Sequence, residues 1–261
     1  MKTAIRDSAL HEALDRTFDI AKNLGFTGID VTLGRRNTRE HPMWTRAGLR
    51  GILDHRNSTR LDIPCINVER FESMGLAHPN ARVREGAGKV LNALIPRAAA
   101  LGTWAVVVPL DGRGQPFGRV RQKTVAEVLR DVAPAAESHG MGINIRSAAD
   151  TKVILRLLDD VGSETVRVEH DIAHSVLLDR DPAADIRALG GAVAQVRLRD
   201  IDAGGSLCPL GVGTVAYQPI VEALDEIDFD GYVVVDTPHG ADTVAAAAAN
   251  LAFVHEYFLW T

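Results

Sequence analysis

Two cysteines, Cys65 and Cys208, are all that this chain of 261 residues carries. They lie far apart and outside any ligand spacing, which excludes a disulfide framework and a thiolate metal site. Long apolar runs are also missing. The longest, within "DTVAAAAANLAFVHEYFLW", is alanine-rich and interrupted by Asn250, so no membrane span is expected. The first residues, "MKTAIRDSAL", lack the apolar core of a signal peptide, and the expectation is a cytoplasmic protein. There is no excess of positive charge. The net charge of −5 argues against a general nucleic-acid footprint. What is present is 46% hydrophobic and 24% charged residues, enough for one large domain or two small ones with ample core.

Short β-rich runs alternate with helical patterns throughout. Strands are expected at Thr3–Arg6, "FTGIDVT", "DIPCINVE", "TWAVVVPL", "MGINIR", "TVRVEHD", "VAQVRLRD" and "GYVVVD". A helical pattern follows each one. The first has Leu10, Leu14, Phe18, Ala21 and Leu24 on one stripe, and Gly25 closes it. Further helices are expected around Trp44–Asn57, over "ARVREGAGKVLNALIPRAAALG" with a kink at Pro96, around Ala149–Asp159 and around Pro219–Ile227. Thr124 to Glu127 reads as a capping box that starts a helix. Asp181 and Pro182 read as an N-cap and first-turn pair, with Gly190 and Gly191 as the stop. Eight sequential βα units in this length imply one (β/α)8 TIM barrel over residues 1–261. An open doubly wound sheet would carry a glycine-rich turn after the first strand, and "IRDSALHE" has none.

In such barrels the chemistry sits at the C-terminal ends of the strands. That rule nominates Arg6 or Asp7, Asp30, Asn67 and Glu69, Asp111, Arg146, Asp171 and His174, Arg197 and Arg199, Asp236 and His239. In "VAQVRLRD", Ala194, Val196 and Leu198 share one parity, and Gln195, Arg197 and Arg199 share the other. If the apolar parity faces helices, two guanidiniums point into the barrel, where unpaired cations are costly. By the same alternation Arg146 and Asp236 face inward, so Arg146 and Arg197 are expected to flank Asp171. His170 has the opposite parity and is expected to face the helices. A mutually neutralising structural network at the barrel mouth is the alternative to a functional site. Two loops add candidates. "LGRRNTREHP" carries Arg35, Arg36, Arg39 and His41, and "DAGGSLCPLGVGT" carries four glycines whose amides could approach an anion.

The motifs "LGFTGIDV", "HDIAHS", "VAQVRLRD" and "LGVGTVAYQPIVEALDEIDFDGYVVVD" resemble the xylose isomerase-like TIM-barrel superfamily, in its sugar phosphate isomerase/epimerase branch. The resemblance covers nearly all of the chain. It implies one divalent metal held by a Glu ending strand five, the Asp of Asp-x-x-His, a His on strand seven and a Glu ending strand eight. Carried over, only Asp171 is retained. The other positions fall at or near Arg146, on Arg197 and on Asp236, and the family's histidine near substrate is His174. Arginine has no lone pair to donate, so the expectation is no cofactor, with arginines in place of the ion. The alternative is Mn2+ or Mg2+ held by Asp171 and Asp236. The resemblance also implies pairing into a homodimer.

The expected chemistry is proton abstraction next to a carbonyl, giving isomerisation or epimerisation of a small anionic or polyhydroxylated substrate. Arg146 and Arg197 would hold the developing oxyanion, Asp236 and His174 would move protons, and Asp171 would orient them. Arg199, Arg6, Asp30, Asn67, Glu69 and His239 would contact substrate. A dehydratase, lyase or cyclase using the same site is one alternative. A non-catalytic barrel that binds an acidic metabolite or a protein partner is another. A nuclease of the endonuclease IV type is disfavoured by the missing His/Glu cluster and by the charge.

Overall fold

The structure is a computed structural model and describes residues 1–35, 40–111, 118–237 and 240–258. Eight parallel strands close into a barrel: β1 (Lys2–Arg6), β2 (Gly28–Leu33), β3 (Cys65–Val68), β4 (Ala105–Pro109), β5 (Gly142–Arg146), β6 (Val166–Asp171), β7 (Val193–Leu198) and β10 (Tyr232–Val235). Around the closed sheet the order is β1, β10, β7, β6, β5, β4, β3, β2. The expected (β/α)8 architecture is therefore observed. The seventh run is shorter than expected. After Leu198 the chain leaves the barrel, and β8 (Asp200–Ile201) pairs with β9 (Leu207–Cys208) in an antiparallel hairpin.

Period-2 alternation explains the burial. Ile5, Val196, Leu198, Val233 and Val235 take the outward parity and are fully buried under helices. Inward positions are occupied by smaller or polar groups, such as Ala4 and Val234 with Tyr232, or Cys65 with Ala105 and Val107. Each buried aliphatic side chain contributes about 1.5–3 kcal/mol.

The helices are α1 (Leu14–Leu24), α2 (Arg46–Thr59), α3 (Phe71–Met74), α4 (Ala81–Ala100), α5 (Gly118–Ser138), α6 (Thr151–Val161), α7 (Ile172–Leu177), α8 (Pro182–Leu189), α9 (Tyr217–Glu226) and α10 (Thr243–Phe258). Asp181 caps α8 as expected, accepting from the Ala183 amide at 2.9 Å with Pro182 in the first turn. Pro96 lies inside α4 without ending it. The expected capping box is corrected. Thr124 lies within α5, and its hydroxyl donates back to the Val120 carbonyl at 3.0 Å, one turn earlier, as a mid-helix threonine does. No helix among the described residues is long and apolar enough to cross a membrane.

The chain divides into two compact units. One comprises Met1–Val31, His55–Asp62 and Glu169–Thr261, and the other Thr32–Asp54 and Ile63–Val168. Each holds a cluster of arginines and carboxylates at its strand ends.

Candidate active site

In the first unit the strand order brings the inward side chains of β1, β10, β7 and β6 into sequence. Arg6 ends β1, Asp236 follows β10, Arg197 lies on β7 with Arg199 just beyond it, and Glu169 and Asp171 lie on β6. The contacts follow this order. Arg6 Nη1 lies 3.3 Å from Asp236 Oδ2, and Arg6 Nη2 lies 3.5 Å from Glu169 Oε1. Arg197 Nε donates to Asp236 Oδ2 at 2.6 Å, and its Nη2 pairs with the same oxygen. Arg197 Nη1 donates to Asp171 Oδ2 at 3.0 Å. Arg199 grips Asp171 with two nitrogens, Nε to Oδ1 at 3.1 Å and Nη2 to Oδ2 at 2.6 Å. The Asp171 Oδ1 atom also accepts from the Ala173 amide at 3.1 Å, so it is the N-cap of α7. That cap fixes the helix carrying His174, whose Nε2 stands 3.8 Å from Asp171 Oδ2. The His174 Nδ1 atom is buried with no hydrogen-bond partner among the described residues.

Three guanidiniums and three carboxylates thus balance within one buried network. Burial opposes the charge on Arg197, but Asp236, Asp171 and Glu169 outweigh it and hold the guanidinium firmly protonated. Burial would raise the Asp236 carboxyl, but Arg197 and Arg6 outweigh it and hold it well below the usual carboxylate range. This corrects the expected role of Asp236. So stable an anion is a poor proton acceptor near neutrality.

The other nominated residues divide sharply. Arg197, Arg199, Asp171, His174 and Asp236 come together as expected. Arg6 joins them, but as a fully buried member of the network rather than an outlying contact for substrate. Asp30 is fully buried and accepts from Gln195 Nε2 at 2.9 Å inside the barrel. Asn67 is buried on β3 at a register opposite Val107. Glu69 serves through its backbone, its amide donating to the Leu33 carbonyl and its own carbonyl accepting from the Glu72 amide. His239, Arg36 and Arg39 lie outside the described residues.

In the second unit Arg146, 2% exposed at the end of β5, donates through Nη2 to Glu72 Oε1 at 3.1 Å and through Nε to Asp111 Oδ2 at 3.4 Å. Asp111 Oδ1 accepts from the Ala148 amide at 3.0 Å, and Glu72 also pairs with the exposed Arg35. Glu72 was not nominated, because it sits on α3 beyond the strand end and only tertiary structure brings it to Arg146. Glu169 was also missed, although its inward parity two positions before Asp171 was readable.

The glycine-rich loop after β7 corrects another expectation. Its amides do bind an anion, but that anion is the chain's own Asp200. The Gly211 and Gly213 amides donate to Asp200 Oδ2 at 2.9 and 3.0 Å, and those of Ile201 and Val215 donate to Oδ1 at 2.9 and 3.2 Å. A Cβ at Gly213 would stand 2.2 Å from Asp200 Oδ1, which is why only glycine fits there. Asn250, the break in the apolar run, accepts from the Leu210 amide and donates to Thr237.

The family description "xylose isomerase-like TIM barrel" matches residues 18–257. The chain belongs to that family. No curated protein sequence matches it. Among solved structures, the D-psicose 3-epimerase of Clostridium cellulolyticum H10 with D-tagatose is 17% identical, covers 100% of both chains and has a TM-score of 0.83. A probable 3-DHS dehydratase of Bacillus anthracis is 16% identical, covering 97% of this chain and 99% of that one, with a TM-score of 0.75. The IolI protein, described with a binding zinc atom, is 14% identical over 100% of both chains, with a TM-score of 0.81.

That zinc overturns the expectation of no cofactor, because a protein with this fold is described holding a metal. The alternative expectation, an ion held by Asp171 and Asp236, fails on the donors present. Every oxygen of Asp171, and Asp236 Oδ2, already accepts from a guanidinium, and Arg197 has no lone pair to offer. Among the described residues no three His, Cys, Asp or Glu side chains are arranged to hold a metal. Among the described residues, the oxygens at this rim are committed to guanidiniums and do not make up a ligand set for a divalent ion.

Proposed function

We propose that this member of the xylose isomerase-like family is an isomerase or epimerase of a small carbonyl compound, built as a single domain over 1–261. The observation that carries the reading is the Asp171 carboxylate, gripped by Arg197 and Arg199 at the end of β6 with His174 at 3.8 Å. Similarity in fold to the D-psicose 3-epimerase supports the same class of reaction. The balance of three guanidiniums against three carboxylates favours a neutral polyhydroxylated substrate over a polyanion. There is no net positive field to hold a permanent dianion, whereas N–H donors and carboxylate oxygens suit hydroxyl groups.

In this reading Arg197 and Arg199 face the carbonyl oxygen as it gains negative charge, where preorganised donors are most effective. His174 takes the proton from the adjacent carbon, its ring fixed by the Asp171-capped α7. Asp171 and Asp236 position the arginines, and Arg6 and Glu169 hold the network from behind. Arg146, neutralised by Glu72 and Asp111, belongs to the separate cluster of its own unit.

The test is proton NMR in heavy water with a panel of ketoses and aldoses, with and without added zinc or manganese. The expected result is deuterium uptake at the carbon beside the carbonyl, lost in His174→Gln. Binding without exchange would overturn the reading in favour of a non-catalytic barrel. Appearance of a dehydrated product would overturn it in favour of a lyase.

A further inference from the structure

We propose that the groove between α3, α4 and the Pro42–Trp44 turn is a second binding site, for a small monomeric amphipathic anion. The inference does not depend on the reaction assigned to the strand-end cluster. The groove has a volume of about 670 Å3, within the usual range of ligand pockets, and lies within the second unit. Its floor is apolar, with Trp44, Phe71 and Met74 among its lining residues, and Met74 is an exposed large apolar side chain. Arg70, Arg82 and Lys89 also line it, and no carboxylate does among the described residues. Lys89 reaches Glu85 one turn back, an exposed pair of little strength. Arg70 and Arg82 form no ion pair among the described residues. A fourth cation, Arg97, stacks over the Trp44 ring at 5.3 Å. An apolar floor flanked by cations alone complements a ligand with an apolar body and an anionic head, such as an aliphatic or aromatic carboxylate.

The site shares a wall with the Arg146 cluster. On the single turn of α3, Phe71 and Met74 line the groove and Glu72 holds Arg146.

The test is calorimetric titration of the full chain with octanoate, with octanol as the uncharged counterpart. Octanoate is expected to bind, at least tenfold more tightly than octanol. Arg82→Glu, at an exposed position, is expected to weaken it at least tenfold. Gly86→Leu is expected to block the groove, because a Cβ there meets no atom within 4 Å and the fold has room for it. Unchanged melting curves confirm that both variants are folded. Equal binding of octanol, no binding of octanoate, or binding unaffected by both variants would overturn the proposal. So would association only with phosphatidylglycerol vesicles, or loss of a dimer on sedimentation of the variants, which would name a membrane or a second copy as the occupant.

Discussion

Asp171 and Asp200 are both buried carboxylates just beyond or at a strand end in the same unit, and their partners could hardly differ more. Asp200 is held by four main-chain amides of its own loop. Asp171 is held by two arginine side chains and one amide. Main-chain donors cannot move aside without unfolding the loop, so the Asp200 cradle is closed and structural. Guanidiniums on side-chain stems could exchange a carboxylate for a substrate oxygen, which is the role proposed above for the Asp171 cradle. Burial of a charge does not by itself mark a reactive site. What separates the two is whether the donors are main-chain amides or side chains.

The largest effect is expected from Arg197→Ala, which removes the cation shared by Asp171 and Asp236. Turnover should fall about 10³-fold by the loss of oxyanion stabilisation. Asp171 is then left with Arg199 alone and Asp236 with Arg6 alone, and the thinned network should cost up to about 3 kcal/mol in denaturant unfolding. Retention of full activity would place the chemistry elsewhere.

Next comes Asp200→Ala. It leaves buried amides without an acceptor, at about 1–3 kcal/mol each, so a total near 3–5 kcal/mol is expected after the loop relaxes. Turnover per folded molecule should stay within a few fold of the parent, and a specific loss of catalysis at unchanged stability would erase the contrast between the two aspartates. His174→Gln should behave oppositely, losing about 10²-fold in proton exchange with little change in melting temperature.

The smallest effect is the pH dependence of stability. His170, behind β6, is held neutral by burial, with its pKa lowered from 6.5 to about 4 against the pull of Asp185 and Asp171. Between pH 6.5 and 4 the unfolded chain takes up a proton that the folded one refuses. Stability contributed by the neutral ring is therefore full above 6.5 and falls as acid is added, by about 2 kcal/mol at pH 5. His41, lowered to about 4 by burial, adds to the same slope. His170→Leu should flatten the fall, as measured by urea unfolding at pH 7 and pH 5. An unchanged slope would assign the acid sensitivity to other groups.

Much of this was legible before any coordinates. Alternating βα patterns carry the barrel, because parallel strands buried on both faces read as short β-branched runs between helical stripes. Parity directs Arg197 to the inward face of β7, since a strand has a side-chain period of two, whereas Arg199 reaches Asp171 from just beyond the strand. Local rules also found Asp181 and Pro182, whose contacts span only three residues. What failed was non-local. Glu72 meets Arg146 across 74 positions, and no periodicity signals that. The loop glycines suggest amides that could approach an anion, but sequence does not reveal that Asp200, 11 to 13 residues back, supplies the anion to Gly211 and Gly213. Asp236 was nominated as a base from its position. Its ionisation is set by Arg197 and Arg6, two strands that only the closed barrel makes its neighbours on either side.

The decisive comparison is between Asp171→Asn and Asp200→Asn, with deuterium uptake into the carbonyl substrate and the melting temperature measured on the same samples. The account predicts that both variants melt lower than the parent, that Asp171→Asn also loses at least about 100-fold in exchange per folded molecule, and that Asp200→Asn exchanges normally when folded. Parent-like exchange in Asp171→Asn would contradict it.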